Sequence, residues 1–223
     1  MTIFASLNVF ADTVPRGGAA QMALDEALLE NAPEPVFRIY RWDGPAVSFG
    51  YSQSLAAVAA NHPARPLVRR WTGGGIVEHG EDWTFSLVVP SGVAFARIRP
   101  VETYRLIHEA VAAGLAQCGI PARLAAAEES RRGAACFTAP APQDVMAPDG
   151  RKLCGGAQRR TRRGFLHQGS LLGVTLPGDF AARLGVVMAR EVTPFVPSEN
   201  LLTRSEDLAI RRYGAADWLA KIP

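Results

Sequence analysis

Residues 69–79 read Arg-Arg-Trp-Thr-Gly-Gly-Gly-Ile-Val-Glu-His and lie between two strand-like runs, Leu67–Trp71 and Trp83–Val89. Three consecutive glycines cost backbone entropy, but they let the backbone pass close to another group and present N–H groups to it. With arginines and a histidine beside it, such a loop can bind a carboxyl, thioester or phosphate group. The alternative is a flexible hairpin tip with surface arginines. The residues that we expect to contact the bound group are Arg69, Arg70, Gly73, Gly74, Gly75 and His79.

Helical spacing of apolar residues appears on both sides of this loop. The pattern from Ala20 to Leu28 predicts an amphipathic helix over about Gly18–Glu30, with Asp25 and Glu26 on other faces. Pro100 is expected to open a long helix that reaches about Cys118, because apolar residues recur there every three or four positions. Shorter helices are predicted at Leu55–Ala60, Asp179–Ala189 and Ser205–Tyr213.

Runs of β-branched and aromatic residues predict the strands. Besides the two that flank the glycines, they are Phe37–Trp42, Ala46–Tyr51, Asp144–Met146, Arg151–Arg159 and Phe165–Val174. Pro148-Asp149-Gly150 has turn chemistry and is expected to join Asp144–Met146 to Arg151–Arg159 as a pair of strands. Ala125–Pro142 is interpreted as a long loop, which is often functional. Without a repeat or a linker, the pattern favours one α+β domain over residues 1–223, with helices packed on a mixed, mostly antiparallel sheet.

Composition places the chain among globular proteins. It has 223 residues, of which 48% are hydrophobic and 20% charged, with a net charge of +3. No apolar run reaches the roughly 18 residues of a membrane span. The N-terminus shows no secretory signal, so a cytoplasmic location and no membrane partner are expected. The three cysteines, Cys118, Cys136 and Cys154, have no disulfide or zinc spacing, and we predict no metal site.

Several common catalytic motifs are absent, among them GxxxxGK[ST], GxGxxG and HExxH, and Ser170 lacks a GxSxG elbow. A basic run extends from Arg151 to Arg163. It is interpreted either as a solvated hairpin or as a landing site for an acidic partner. Nucleic acid is disfavoured, because aromatic residues are not interleaved with these charges.

The glycine segment resembles the RRxTGGGxVxH signature of lipoate–protein ligases and octanoyltransferases. Met22–Leu28 is similar to the first-helix motif of that family, and Gly150–Arg159 to its GxKxxGxAQxR motif. Leu166–Leu172 matches the His/Gln-Gly-Ser strand that follows. The resemblance, which spans residues 17–175, implies a mixed α/β fold shared with biotin–protein ligases. An apolar acyl tunnel is expected beside the glycine loop. Biotin itself is disfavoured, because biotin ligases usually carry a GRGR-type loop.

The same resemblance implies the remaining site residues. Lys152 is expected to be catalytic, and four further residues are expected to bind the acyl substrate: Gly155, Gly156, Ala157 and His167. One branch of the family carries a nucleophilic cysteine just upstream of the lysine motif, in a context resembling CFxAP. Cys136-Phe137-Thr138-Ala139-Pro140 matches that context. Cys154 is the rival nucleophile but is interpreted as packing, and Cys118 as core.

A thiolate is the reactive form of cysteine. Lys152 is expected either to hold Cys136 as a thiolate or to take its proton, and later to deprotonate the incoming amine. N–H groups of Gly73–Gly75 or of Gly155–Gly156 are candidates for an oxyanion hole.

Two activities and one binding role remain open at this point. The leading hypothesis is transfer of octanoyl from octanoyl-acyl carrier protein to a lysine of lipoyl domains through a Cys136 thioester, with no cofactor. The acceptors would be the glycine cleavage carrier protein or the acyltransferase subunits of 2-oxoacid dehydrogenases. The alternative is an ATP-dependent lipoate–protein ligase, which needs ATP and Mg²⁺; the Gly73-Gly74-Gly75 loop is closer to ligases. A non-catalytic acyl-binding module is the third hypothesis.

Overall fold

A computed structural model of the chain describes residues 2–126 and 140–221. Eleven strands are found among these residues. They are β1 Phe4–Arg16, β2 Val36–Trp42, β3 Ala46–Phe49, β4 Leu67–Arg69, β5 Ile76–His79, β6 Trp83–Pro90, β7 Arg123–Leu124, β8 Val145–Met146, β9 Lys152–Thr161, β10 Gly164–Leu171 and β11 Ala189–Pro194.

Eight of the strands form one large sheet in the order β11-β1-β2-β6-β10-β9-β8-β7. β1 pairs in parallel with β2 and β11, and every other pair in this sheet is antiparallel. The expected α+β fold with a mostly antiparallel sheet is therefore confirmed. The predicted pairing across Pro148-Asp149-Gly150 is also present, since Val145 lies opposite Cys154.

A second, three-stranded sheet in the order β4-β3-β5 was not distinguished by the sequence patterns. Only the three residues Asp43-Gly44-Pro45 separate β2 from β3 in the chain, but the two strands belong to different sheets. Both edges of β2 are already occupied, one by β1 and the other by β6. β3 therefore pairs with β4 and β5, and the small sheet carries the glycine segment between these two strands.

The helices divide the core into two layers. On one face of the large sheet lie α3 Pro100–Gln117 and α4 Phe180–Met188, and their apolar residues pack with Phe37, Phe85 and Phe165. On the other face lie α1 Gly18–Asn31 and α5 Glu199–Leu208. The shorter helices are α2 Leu55–Asn61, a 3₁₀ turn Ala94–Arg97, a π turn Ala209–Tyr213 and α6 Ala216–Leu219.

The amphipathic interpretation of α1 is wrong in one respect. Asp25 and Glu26 are buried rather than solvated. Arg38 of β2 donates to the Asp25 carboxylate at 2.8 Å, and Arg212 and Tyr213 satisfy Glu26. A buried carboxylate is tolerated when a charged donor pairs with it, and α1 can therefore bury its polar face as well as its apolar one.

Most of the predicted loop Ala125–Pro142 falls on residues 127–139, outside the described residues, and Cys136 lies there too. Within the part of the chain that is described, none of the helices has the length and apolar character needed to cross a bilayer.

Candidate functional site

A pocket of about 680 Å³ lies between the small sheet and the α1 face of the large sheet. Tyr40, Trp42 and Met22 contribute apolar walls. Eight of the residues predicted from sequence line it, and they are Arg70, Gly74, Gly75, His79, Lys152, Gly155, Gly156 and Ala157. The structure therefore brings together the glycine loop and the lysine motif, which are about 80 residues apart in the chain.

The glycine loop keeps its carbonyl groups occupied and its N–H groups free. Arg70 Nη2 donates to the carbonyl of Gly73 at 3.1 Å and to that of Gly75 at 2.9 Å. The N–H groups of Gly74 and Gly75 have no hydrogen-bond acceptor among the described residues. Gly74 has a φ of +87°, which favours glycine, and a side chain there would contact Arg70 and Ala157. Free N–H groups beside a buried guanidinium suit an anion or an oxyanion.

Arg70 is held by a chain of hydrogen bonds that we call the arginine relay: Arg70, Ser48, His79 and Asp82. Arg70 Nη1 donates to Ser48 Oγ at 2.7 Å, and Ser48 Oγ lies 2.6 Å from His79 Nε2. His79 Nδ1 lies 2.8 Å from Asp82 Oδ2. Because Asp82 accepts, the imidazole proton is on Nδ1, and Ser48 donates to Nε2. Every hydroxyl and ring proton in the relay therefore has a fixed direction.

Burial and hydrogen bonding set the charges in the arginine relay. Burial lowers the pKa of His79, so the ring is neutral at pH 7 even beside Asp82. Burial alone would raise the pKa of Asp82, but hydrogen bonds from His79, Ser170 and Thr84 bring it below its ordinary value. Burial lowers the pKa of Arg70 to about 10, which leaves the guanidinium charged. Arg70 has no carboxylate in direct contact among the described residues, and Asp82 lies at the far end of the relay.

The opposite side of the pocket holds a second group, the lysine cluster: Lys152, Asp144 and Tyr104. Lys152 Nζ pairs with Asp144 Oδ2 at 2.7 Å. Tyr104 O–H donates to Asp144 Oδ1 at 2.7 Å, and its oxygen accepts the Gly156 N–H at 3.1 Å. The side chain of Lys152 is 32% exposed, whereas that of Asp144 is 1% exposed. The ammonium thus lies at the pocket mouth on a buried carboxylate.

The family model for the lipoyl protein ligase A/B catalytic domain matches residues 18–184 of this chain. The chain belongs to that family. The match begins at α1 and extends through the glycine loop and the lysine motif to α4, so both sides of the pocket lie within it.

The relatives of this lipoyl protein ligase A/B domain include two bacterial octanoyltransferases LipM. The protein from Moorella thermoacetica is 37% identical over 172 residues, which cover 71% of this chain and 62% of the relative. The one from Symbiobacterium thermophilum is 35% identical over 181 residues, 72% of this chain and 63% of the relative. The chain therefore spans less than two thirds of the length of these relatives.

Solved structures agree with the fold of this family member. A lipoate-protein ligase A bound with ATP superposes with a TM-score of 0.75 at 20% identity, over 99% of this chain and 100% of the other. A putative lipoate protein ligase from T. acidophilum with bound lipoic acid gives a TM-score of 0.74, also at 20% identity, over 96% and 98% of the two chains. At these identities the likeness establishes the fold.

Three expected site residues of this lipoyl ligase-type domain do not line the pocket. Arg69 points away from it and donates to the carbonyls of Tyr51, Gln53 and Leu219, so it anchors the C-terminal helix α6. His167 lies on the α3 face of β10 and packs against Tyr104 and His108. Gly73 contributes its carbonyl to Arg70.

Gln168, the neighbour of His167 on β10, lines the pocket where His167 was expected. Because side chains alternate along a strand, Gln168 faces the pocket when His167 faces α3. Gln168 accepts from Thr72 Oγ1 at 2.7 Å and donates to Asp25 Oδ2 at 2.7 Å. The base of the glycine loop is thereby tied to α1. The same alternation places Ser170 beside Gln168 on the pocket face.

Other contributors were missed because none of them belongs to a sequence motif. They are Ser48, Asp82, Tyr104 and Asp144. Among the cysteines, Cys154 is fully buried, and burial raises the pKa of its thiol well above the ordinary value. It is therefore a poor nucleophile, as its interpretation as a packing residue predicted. The predicted nucleophile Cys136 lies outside the described residues.

Proposed function

We propose that this protein moves an octanoyl group from octanoyl-acyl carrier protein to a lysine of a lipoyl domain. The observation that carries the proposal is the pocket, in which a lysine ammonium and the free N–H groups of the glycine loop border an apolar space. A thioester carbonyl needs donors where negative charge develops, and its acyl chain needs an apolar wall. The similarity to octanoyltransferases supports the same substrate class.

The proposed chemistry has two acyl transfers. The Cys136 thiolate attacks the carrier thioester, a C–S bond forms, and the carrier thiolate leaves. The neutral amine of the acceptor lysine then attacks the enzyme thioester, the C–N bond forms as the C–S bond breaks, and the amine proton goes to the departing Cys136 sulfur. Exchange of one thioester for another is nearly isoenergetic, and no cofactor is required. The Gly156 N–H already binds Tyr104, so we assign the oxyanion to the N–H groups of Gly74 and Gly75.

The partners in this proposal are the acyl carrier protein and lipoyl-domain proteins, namely the glycine cleavage carrier protein or the acyltransferase subunits of 2-oxoacid dehydrogenases. Exposed arginines of the β9–β10 hairpin, such as Arg162 and Arg163, supply positive charge for an acidic carrier. Complementary charge of this kind mainly accelerates encounter and weakens with salt.

The second candidate is an ATP-dependent lipoate–protein ligase. One observation favours it: free N–H groups at Gly74 and Gly75 beside Arg70 also suit the phosphate of an acyl-adenylate. That reaction needs ATP and Mg²⁺ and activates a free acid instead of a thioester. Lys152 would then bind the phosphate.

Intact-mass measurement separates the two candidates. Incubation with octanoyl-acyl carrier protein in the absence of ATP is expected to add one octanoyl group to the wild-type protein and to Cys154→Ser, but not to Cys136→Ser. An adduct that survives in Cys136→Ser, or none on the wild type, contradicts the thioester route. Lipoyl-domain modification that requires free acid and ATP would establish the ligase instead.

A further inference from the structure

The carboxylate of Asp144 is the centre of the lysine cluster. Its Oδ2 accepts from Lys152 Nζ at 2.7 Å and from the Ala141 N–H at 2.7 Å, and its Oδ1 accepts from Tyr104 at 2.7 Å. Donors from three separate segments therefore fix one buried side chain. A carboxylate with bonds of this number and length has little freedom to rotate, and neither has the ammonium that it holds.

Tyr104 is a permanent donor in this arrangement. Its oxygen accepts the Gly156 N–H at 3.1 Å, and of the two acceptors within reach of its single proton, Asp144 Oδ1 at 2.7 Å is shorter and charged, whereas the Gly156 carbonyl lies at 3.3 Å. Burial raises the pKa of Tyr104 well above its ordinary value, and the charge of Asp144 raises it further. The phenol thus connects the carboxylate to the backbone of β9, the strand that carries Lys152.

The strand leaves room for the lysine side chain at one position. A Cβ added to Gly155 would lie 2.6 Å from both Cε and Nζ of Lys152, so the side chain folds over this glycine. Bonds from Asp144 set the direction of the ammonium, and the missing side chain at residue 155 sets its height above the sheet. Neither Asp144 nor Tyr104 is among the residues of the lysine motif.

We infer that Asp144 and Tyr104 are positioning residues which hold the Lys152 ammonium over Gly155, facing the pocket, so that this lysine acts as a fixed cation. The inference rests on the proposed function for the role of Lys152. It favours the charge-holding role considered for Lys152, because Asp144 sets the direction of Nζ and Gly155 sets its height above the sheet. Lys152 is thus suited to stabilise negative charge during transfer.

Competitive labelling of amines with acetic anhydride, read by peptide mass spectrometry, tests the positioning without reference to transfer. Only the neutral amine reacts. At pH 8, Asp144→Asn is expected to raise the labelling rate of Lys152, relative to Lys221, by about threefold to tenfold, since Nζ is then no longer held on a carboxylate and is free to meet the reagent. Tyr104→Phe leaves the carboxylate in place but less constrained, and a smaller rise is expected.

Asp149→Asn is the matched control, because Asp149 lies in the adjacent turn, is exposed, and pairs with Arg151 instead of Lys152. It should change neither labelling nor transfer. In steady-state octanoyl transfer, Asp144→Asn is expected to lower kcat by about tenfold to hundredfold with little change in KM for the carrier, as expected when a reacting group is displaced by a fraction of an ångström to an ångström. A variant that is merely unstable would lose active protein without a change in the labelling of its folded fraction.

Unchanged labelling of Lys152 in folded Asp144→Asn and Tyr104→Phe overturns the inference, even if transfer is lost. Increased labelling together with a wild-type protein that transfers no octanoyl group overturns the proposed function and leaves the positioning intact. If Asp144→Asn does not fold, Tyr104→Phe decides alone: labelling equal to that of the wild type overturns the inference.

Discussion

Two cations border the same pocket and are held in opposite ways. Lys152 is one-third exposed and pairs with a carboxylate. Arg70 is buried, has no carboxylate partner among the described residues, and is held by a hydroxyl and two backbone carbonyls. The partly exposed ammonium is held where a reacting group in the pocket can contact it, whereas the buried guanidinium uses its three bonds on Ser48 and the carbonyls of the glycine loop. We therefore assign the chemistry to the lysine cluster and the shape of the glycine loop to the arginine relay.

The difference also concerns charge. Asp144 contacts Lys152 directly, whereas the Asp82 carboxylate is separated from Arg70 by Ser48 and the neutral ring of His79, so Arg70 faces the pocket without a carboxylate in contact. The neutral form of His79 is important here, because a protonated ring would place a second positive charge behind Arg70. Asp82, which accepts from His79, Thr84, Ser170 and the Gly80 N–H, keeps that ring in a single tautomer.

The comparison is tested most strongly by Lys152→Met. If the lysine does the chemistry, octanoyl transfer should fall by about 10²–10⁴-fold. The free energy of unfolding should fall by about 2–3 kcal/mol, because the buried Asp144 loses its charged partner but keeps its bonds from Tyr104 and Ala141. Transfer rates and urea unfolding measure the two effects, and a large loss of stability with near-normal transfer would reverse the assignment.

Arg70→Lys should act mainly on stability and on substrate binding rather than on the chemical step. An ammonium keeps the charge but cannot replace a guanidinium that bonds Ser48 and two carbonyls at once. We expect a loss of about 1–3 kcal/mol in the free energy of unfolding and a raised KM for the octanoyl carrier, because the glycine loop is no longer held. Arg163→Lys is the control, as this arginine is exposed at the β9–β10 turn. A normal KM in Arg70→Lys would mean that the guanidinium does not shape the loop.

Gly155→Ala sharpens the lysine side of the comparison. The new methyl group must displace the end of the Lys152 side chain, which is flexible, and contacts no backbone atom as closely. Transfer is expected to fall by about tenfold while stability changes by less than about 1 kcal/mol. Gly92→Ala is the control, since a Cβ there meets no atom within 4 Å. Unaltered transfer in Gly155→Ala would show that the height of the ammonium is unimportant.

Titration of His108, which lies next to the lysine cluster, should change the free energy of unfolding least near neutral pH and more as the pH falls. His108 donates from Nδ1 to the Gln143 carbonyl, next to Asp144, and burial lowers its pKa to about 4. A folded-state pKa below the unfolded value of about 6.5 means that stability is complete above pH 6.5 and declines as the pH falls towards 4. The loss from this one group approaches about 3 kcal/mol at the lower end.

His108→Phe keeps an aromatic ring beside Tyr104 and removes the titrating group. Its unfolding free energy should therefore vary less between pH 6.5 and 4 than that of the wild type, after normalisation at pH 8. If the free energy of unfolding, measured with urea, changes with pH equally in His108→Phe and in the wild type, then His108 does not cause the acid sensitivity of this region.

Sequence patterns predicted those parts of the molecule in which local chemistry and periodicity agree. The helix after Gly17, the hairpin of β9 and β10, and the loop at Gly73–Gly75 all appear where expected. The strand β1 was not predicted, because its buried positions Phe4, Leu7 and Val9 do not alternate regularly and its parallel partners are distant in the chain.

The site was predictable to the extent that its residues belong to motifs. Period-two alternation makes His167 and Gln168 face opposite sides of β10, but it does not say which side is the pocket. Ser48, Asp82 and Asp144 carry no pattern of their own, since their importance comes from hydrogen bonds to groups that lie far away in the chain. Arg69 and Arg70 are adjacent and identical in type, yet only the fold directs one into the pocket and the other towards α6.

The bridge from Thr72 through Gln168 to Asp25 has a practical consequence for protein engineering. Exchanging the glycine loop between family members would move Thr72 but leave behind the amide and the carboxylate to which it is fastened. A chimera built at the loop boundaries alone would leave buried polar groups without hydrogen-bond partners. The transplantable unit is thus discontinuous: the loop, the middle of β10 and the inward face of α1 must be exchanged together.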